Sequence, residues 1–376
     1  MAKSYCKGVN ITDYFLIYSA VCACLRKITK RRRPDTIRLF AGILNTSKTN
    51  ARNILKERSL DYYTAISRIT NILRDEIINE SLDLPPIHIK YKLDGTGGKI
   101  RKISVQHIKQ LLLDHVAVFG LRDLTKLLGQ HQVSGRKGMG GSYGTKIVNR
   151  WMKVKRRKYS CKLDISHYYE SVNVDLLMEF LKKRVRNNKL IWLVDTLLHT
   201  GDKGLNIGSY LSHFLANLYL SPIWRYIMQE FKGEVHALFY MDDLCLVSSN
   251  KRILKKAISY IRNTIASKYK LTIKPNSGAI HLIDKSRPLD LMGIRFNGDG
   301  SLSLRKRIFR RARRAMKRCN KHTDVRKSRR IVSYNGWIRR AELWWMVNSY
   351  EWKCAMKSAK LSIRYEQKRI NSREAA

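Results

Sequence analysis

Residues 235–248 read Val-His-Ala-Leu-Phe-Tyr-Met-Asp-Asp-Leu-Cys-Leu-Val-Ser. Two apolar runs rich in β-formers, each long enough for a strand, meet at Asp242 and Asp243, which predicts a tight hairpin with two carboxylates at its tip. Like charges this close raise each other's pKa unless a cation compensates, so the pair suits a divalent ion held by hard oxygen ligands. An Asp-Asp dipeptide taken alone is more often a plain polar turn. The surrounding sequence decides between the two.

The chain has 376 residues, enough for a substantial core and two or three subdomains. Hydrophobic residues make up 44%, ordinary for a globular protein, but 75 Lys and Arg against 29 Asp and Glu leave a formal charge of +46. Self-repulsion of that size destabilises a compact state unless a polyanion neutralises it, and nucleic acid is the expected polyanion. No apolar run approaches the roughly 18 residues of a membrane span, and the start lacks a signal-peptide pattern, so no membrane partner is expected. Seven scattered cysteines, an odd number mostly inside apolar runs, point to a reducing compartment. Cys22 and Cys24 lack the second pair or His cluster of a zinc site.

Upstream, residues 11–80 carry helical periodicity over 11–28, 36–44, 50–55 and 62–80, with the basic run Lys30-Arg31-Arg32-Arg33 and a break at Pro34. The basic run suits a solvated face or a phosphate contact. After Pro85-Pro86 the pattern alternates, and residues 87–93 and 99–105 predict a hairpin around Asp94-Gly95-Thr96-Gly97-Gly98, carrying Lys90, Lys92, Lys99, Arg101 and Lys102. Such cations suit a triphosphate or guard an exposed edge. Helical patterns over 105–120 and 121–128 lead into His131–Gly144, where five glycines accompany Arg136 and Lys137. The spacing fits neither the dinucleotide fingerprint nor the P-loop, but it lets backbone amides approach phosphates. A basic helix is expected over 145–157.

A strand is expected to end on Asp164, within Tyr159-Ser-Cys-Lys-Leu-Asp-Ile-Ser-His-Tyr-Tyr-Glu-Ser-Val172, and a carboxylate at a strand terminus is well placed for a metal. Helices over 174–200 precede Gly204-Leu-Asn-Ile-Gly-Ser-Tyr-Leu-Ser-His213, a turn feeding a helix, in which Gly208 leaves room for a flat ligand. After the hairpin come a helix over 251–269, strands over 271–274, 279–283 and 289–296, and a turn at Asn297-Gly-Asp-Gly300 into Ser301-Leu-Ser-Leu304. From Arg305 onward, 23 Lys and Arg face 5 Asp and Glu on helical patterns that also hold Trp337, Trp344, Trp345 and Trp352.

In this order, Lys162-Leu-Asp-Ile-Ser-His-Tyr-Tyr-Glu-Ser171, Ile207-Gly-Ser-Tyr-Leu-Ser212, Tyr240-Met-Asp-Asp243 and Leu291-Met-Gly293 resemble the motifs of bacterial reverse transcriptases, the lineage of group II intron enzymes and retrons. The resemblance spans residues 87–300 and is greatest to the enzymes of diversity-generating retroelements. Those are short and basic, place an aliphatic residue where Ile207 stands instead of the usual Gln, and carry a thumb segment like Ser333-Tyr-Asn-Gly-Trp337. One departure stands out: the pattern ends Ser-Gln, whereas this chain has Ser212-His213.

The resemblance implies an α+β right-hand polymerase: a helical extension (1–84), fingers (85–158), a palm with an antiparallel sheet (159–300) and a basic helical thumb (301–376). It implies catalysis by Asp164, Asp242 and Asp243, with two Mg2+ ions, or Mn2+ in their place, bound at Asp164, Ile165, Asp242 and Asp243. Incoming deoxynucleotide is expected at Lys90, Arg101, Tyr169, Ile207, Gly208 and Ser212, with Tyr169 the steric gate against ribose and Tyr168 a core residue. Nucleic acid is expected at Arg136, Lys137, Tyr240, Met241, Gly293, Arg310 and Arg314, and the thumb tryptophans as helix packing. The lysine usual after the catalytic hairpin is replaced by Ala279, leaving Lys274 or Lys285 as substitutes. The implied partners are template RNA, primer or nascent cDNA, dNTPs and a small basic accessory protein, pentameric in the resembled enzymes, in a bacterial or phage-encoded cytoplasmic setting. The implied role is error-prone copying for mutagenic retrohoming. Its rivals are a retron or phage-defence enzyme making a fixed cDNA and a silent maturase-like RNA-binding protein.

Overall fold

A computed structural model describes residues 4–93, 100–154, 158–201, 203–321 and 324–373. The tip of the first hairpin, Asp94–Gly98 with Lys99, and the side chain of Arg101 lie outside what it describes, as does the end of the helix expected to reach residue 157. The fold is α+β, with five antiparallel strand pairs among the described residues. Two compact units are present, Met1–Gly135 with Asp164–Tyr226 and Tyr260–Pro275, and Arg136–Leu163 with Ile227–Ser259 and Asn276–Ala376.

The first unit is built around helix Ile108–Gly120. Its residues Leu111, Leu112, Leu113, Val116 and Ala117 are all buried, because helices Tyr14–Leu25, Asn188–Leu198 and Tyr210–Tyr219 pack around it. Its own start is capped from afar: the Ile108 amide donates to Asp35 Oδ2 at 2.8 Å, and Asp35 is held by Arg33, whose guanidinium also donates to the Gln106 carbonyl. The helical pattern breaks before Pro34 as the sequence suggests, with Arg33 extended between helices Ile28–Arg31 and Pro34–Ile43. Pro34 sits at the first turn of helix Pro34–Ile43, where no amide is needed. The basic run is correspondingly structural in part, with Arg31 buried and donating to the Leu25 and Arg26 carbonyls.

In the same unit, β1 (His88–Leu93) pairs with β2 (Ile100–Val105), Lys90 opposite Ile103 and Lys92 opposite Arg101. By strand alternation Lys90 and Lys92 share one face, and Ile89, Tyr91 and Leu93 the other.

The second unit holds a four-stranded sheet. β3 (Tyr159–Asp164), β4 (Val235–Tyr240), β5 (Asp243–Ser248) and β6 (His281–Leu282) follow the order β4-β5-β3-β6. A meander of β7 (Leu289–Leu291), β8 (Ile294–Phe296) and β9 (Leu302–Leu304) and three mutually packed helices, 306–321, 325–340 and 350–373, complete it. The strand expected over 271–274 is absent. Its backbone makes two bonds to the segment after β3, Ser166 amide to Thr272 carbonyl at 2.8 Å and Lys274 amide to Asp164 carbonyl at 2.9 Å, and Pro275 then removes the next donor. Among the described residues no helix is long and apolar enough to cross a membrane.

Candidate active site

The hairpin of β4 and β5 runs in register from Val235 opposite Ser248 to Tyr240 opposite Asp243, leaving Met241 and Asp242 as a two-residue turn. Met241 has φ of +57°, the sense that the tight hairpin turns require at this place, and it is a non-glycine residue in a costly conformation. Asp242 and Asp243 are both half-buried, while the strands behind them are almost wholly buried, so the carboxylates stand at the rim of a rigid element.

Asp164 closes β3. Its Oδ2 is 2.7 Å from Lys274 Nζ, and Ile165 beside it is buried and bridged to Ile273. Of the two lysines that the sequence leaves open, Lys274 is the one on this carboxylate. Carboxylate oxygens are the donors that Mg2+ takes, so the residue types fit a hard divalent ion. Among the described residues, no three His, Cys, Asp or Glu side chains are gathered as a metal site.

Tyr168 is buried, its hydroxyl donating to the Ala216 carbonyl at 2.7 Å, which is the core role expected of it. Tyr169 is half-buried, and its carbonyl accepts from the Leu205 amide at 2.7 Å. At Gly204, φ +64°, an added Cβ would lie 2.5 Å from the carbonyl oxygens of Tyr169 and Glu170. The turn that follows is held from the hairpin. The Ser104 amide donates to the Ile207 carbonyl at 3.0 Å, and Gly208, exposed with φ +115°, presents its α-carbon to the Ser104 carbonyl, 2.9 Å from where a Cβ would stand. Ser209 caps helix Tyr210–Tyr219, its Oγ accepting from the Ser212 amide at 3.0 Å, and Ser212 is buried beneath the turn. Lys90 is exposed on its strand.

His213 marks the departure from the family pattern, and its partners explain it. Its ring lies 3.4 Å from Ser134 Oγ and directly under Gly135, where a Cβ would come within 2.3 Å of His213 Cε1. Burial lowers its pKa, favouring the neutral ring. Gln132 and Asn217 tie the same loop to the same helix, Gln132 Nε2 donating to the Asn217 carbonyl and Asn217 Nδ2 to the Ser134 carbonyl.

The glycines of residues 135–144 therefore divide. Gly138 and Gly140 turn the chain at positive φ with open space around them. Gly141 and Gly144, by contrast, lie inside helix Gly141–Lys153, which starts four residues earlier than the sequence suggests. A Cβ on Gly141 would meet Arg340 Nη1 at 2.3 Å, and one on Gly144 would meet Met292 Cε at 2.7 Å. Arg136 is half-buried and Lys137 exposed.

Met292 and Gly293 form the two-residue turn between β7 and β8, both at positive φ. Gly293 is a close-approach site: a Cβ there would lie 2.3 Å from Trp337 Cζ3, and Trp337 in turn carries the Arg340 guanidinium 4.2 Å from its ring centroid. Trp352 is buried, its indole donating to Asn335 Oδ1 at 3.0 Å, as expected of a packing residue, whereas Trp344 and Trp345 are 51% and 64% exposed, against that expectation. Arg310 and Arg314 are exposed one turn apart on helix 306–321. The sequence reading missed Ser104, Trp337 as the partner of Gly293, and Asp114. For Asp114 the signal was present, as a lone acid inside the apolar run Leu111–Phe119.

No curated protein matches the sequence. Among solved structures, similarity extends to telomerase from Candida albicans in complex with a TWJ fragment of telomeric RNA, at 12% identity and a TM-score of 0.44 over 65% of this chain and 50% of that one. It extends also to apo telomerase from Candida tropicalis, at 15% identity and a TM-score of 0.45 over 77% and 66% of the two chains. This chain thus spans half the length of the first of these. Residues 93–296, more than half of the chain, match the family described as reverse transcriptase (RNA-dependent DNA polymerase). The four ordered motifs fall within that match, and the chain belongs to the reverse transcriptase family, with the fold class of a right-hand polymerase.

Proposed function

We propose that this chain copies a specific template RNA into cDNA with low fidelity, in the manner of diversity-generating retroelements. The observation that carries the low-fidelity reading is the turn at Ile207 and Gly208, where an aliphatic side chain precedes an exposed glycine. An amide at position 207 would offer the nucleotide a hydrogen bond that isoleucine cannot. One such bond is worth about 0.5–1.5 kcal/mol, or roughly tenfold in discrimination.

In this reading residues 85–158 serve as fingers, 159–300 as palm and 301–376 as thumb. Asp164, Asp242 and Asp243, with Ile165, would hold two Mg2+ ions. Bound, these supply activation of the primer 3′-hydroxyl and neutralise charge on the leaving pyrophosphate. Lys90 and Arg101 hold the triphosphate, Tyr169 excludes the ribose 2′-hydroxyl by shape, and Gly208 lies against the nucleotide. Arg136, Lys137, Tyr240, Met241, Gly293, Arg310 and Arg314 track template and primer. A small basic accessory protein completes the assembly.

Primer extension on an RNA template with Mg2+, followed by cDNA sequencing, tests this. Asp242→Asn should abolish extension, and retained extension removes the catalytic assignment. The wild type should scatter substitutions at template adenines, and Ile207→Gln should reduce them by about tenfold. A single faithful cDNA from the wild type refutes diversification and favours a retron-like enzyme.

A further inference from the structure

Asp114 is 1% exposed, in the middle of helix Ile108–Gly120, among the buried residues Leu112, Leu113, Val116 and Ala117. A carboxylate there is costly unless its oxygens are engaged. One of them accepts three donors from a single place: Asp114 Oδ2 lies 2.7 Å from Ser209 Oγ, 3.0 Å from the Tyr210 amide and 3.4 Å from the Leu211 amide. These are the cap and first turn of the helix that follows Gly208, whose amides are unpaired within the helix and whose dipole favours a negative charge. Ser209 works in both directions, donating to Asp114 and accepting from the Ser212 amide. The adjacent His115 stacks on Tyr210, with ring centroids 4.3 Å apart.

The turn at Ile207 and Gly208 is therefore gripped at two ends. Ser104 holds its entrance by backbone contacts. Asp114 holds its exit. Neither end belongs to the motif it fixes, and Asp114 is 95 residues from Ser209 in the chain.

We infer that Asp114 is a positioning residue for nucleotide binding, setting the Ile207–Ser209 turn through Ser209 and the first amides of helix Tyr210–Tyr219. The inference rests on the reading of Gly208 as nucleotide-facing. Its consequence is specific: loosening the turn weakens capture of the deoxynucleotide more than it slows the chemical step or weakens primer-template binding.

The test is steady-state primer extension by the full chain, reading KM for dNTP, kcat, and Kd for primer-template separately. Asp114→Ala should raise KM about tenfold, the scale of losing charge-assisted hydrogen bonds, with kcat and primer-template Kd within about twofold. Asp114→Asn, which keeps one oxygen for the three donors, should restore most of the KM. Ser209→Ala should raise KM as Asp114→Ala does, and the double variant should add little, because both act through one contact.

A KM unmoved in folded Asp114→Ala overturns the inference, and so does a proportional loss in KM, kcat and primer-template affinity. If Asp114→Ala does not fold, an unmoved KM in Ser209→Ala overturns it equally. Gly208→Ala separates the two layers. Its KM must rise, because the new Cβ meets the Ser104 carbonyl; if it does not, the nucleotide-facing reading fails. If it does while Asp114→Ala is silent, only the role of Asp114 fails.

Discussion

Replacing Asp114 by Asn should stabilise the protein near neutral pH while leaving its acid stability unchanged. Burial pushes the Asp114 carboxyl up from 3.8 to about 6, even though Ser209 and the helix amides pull it down. The sign follows from linkage. The unfolded carboxyl ionises from about pH 4, whereas the folded one keeps its proton until about pH 6, so the folded state is penalised progressively over that window and fully above it. The difference corresponds to roughly 3 kcal/mol. Asn mimics the protonated acid. Its oxygen serves the three donors, and Gln106, whose side-chain amide hydrogen-bonds the Asp114 carboxyl, meets the new amide group once its own amide turns over. Other groups felt at this site are Cys24 and Lys30. His115 is pushed down to about 4 by burial, with Lys30 and Lys27 acting in the same direction, and contributes alike in both proteins. Thermal melts of wild type and Asp114→Asn, paired at intervals between pH 4.5 and pH 8, should diverge as pH rises. The gain should reach roughly 4–7 °C above pH 7 and shrink toward zero at the acid end. A difference that does not change with pH, or a variant less stable at pH 7, refutes the argument, because the helix amides would then outweigh desolvation.

Two further outcomes follow from other contacts. Gly135→Ala should lose about 2–4 kcal/mol in denaturant unfolding, combining left-handed backbone strain with the clash on His213. Adding His213→Ala should recover at least half of that, and strictly additive losses would show that the ring is not what the glycine accommodates. Binding of the basic helices to template-primer should weaken by a factor on the order of 10³ between about 50 and 200 mM salt, with Arg310→Ala and Arg314→Ala each lowering the log–log slope by about one. Equal slopes in wild type and variants would remove those two arginines from the phosphate contacts.

What the chain's local chemistry determines was legible from sequence. Two apolar runs rich in β-formers announce the hairpin of 235–248, and the turn at 204–208 and the helical pattern of 105–120 announce their helices, because each depends on neighbours within a few residues. Boundaries and roles that depend on distant partners were not. Arg33 reads as part of a solvated or phosphate-binding basic run until it and Asp35 are seen at the start of helix Ile108–Gly120. Gly141 and Gly144 read as phosphate-loop glycines until Arg340 and Met292, far along the chain, are seen filling the space their side chains would need. Positive φ at Met241 is invisible locally, since methionine does not advertise it.

The same limit applies to two rings that close on distant glycines. His213 stands where the sequence resemblance leads one to expect glutamine, and it is the surface against which Gly135 closes. Trp337, on helix 325–340, is the surface against which Gly293 closes. In each case a glycine and a ring far apart in the chain, one of them at a motif, form one contact, as Ser104 does with Gly208. The physical unit of the site is therefore the pair, not the motif. A glycine of this kind tolerates a side chain only when its partner ring shrinks, so a homologue with a larger residue at position 135 or 293 should carry a smaller one at 213 or 337. Finding bulky residues on both sides of either pair would show that the backbone there takes another path.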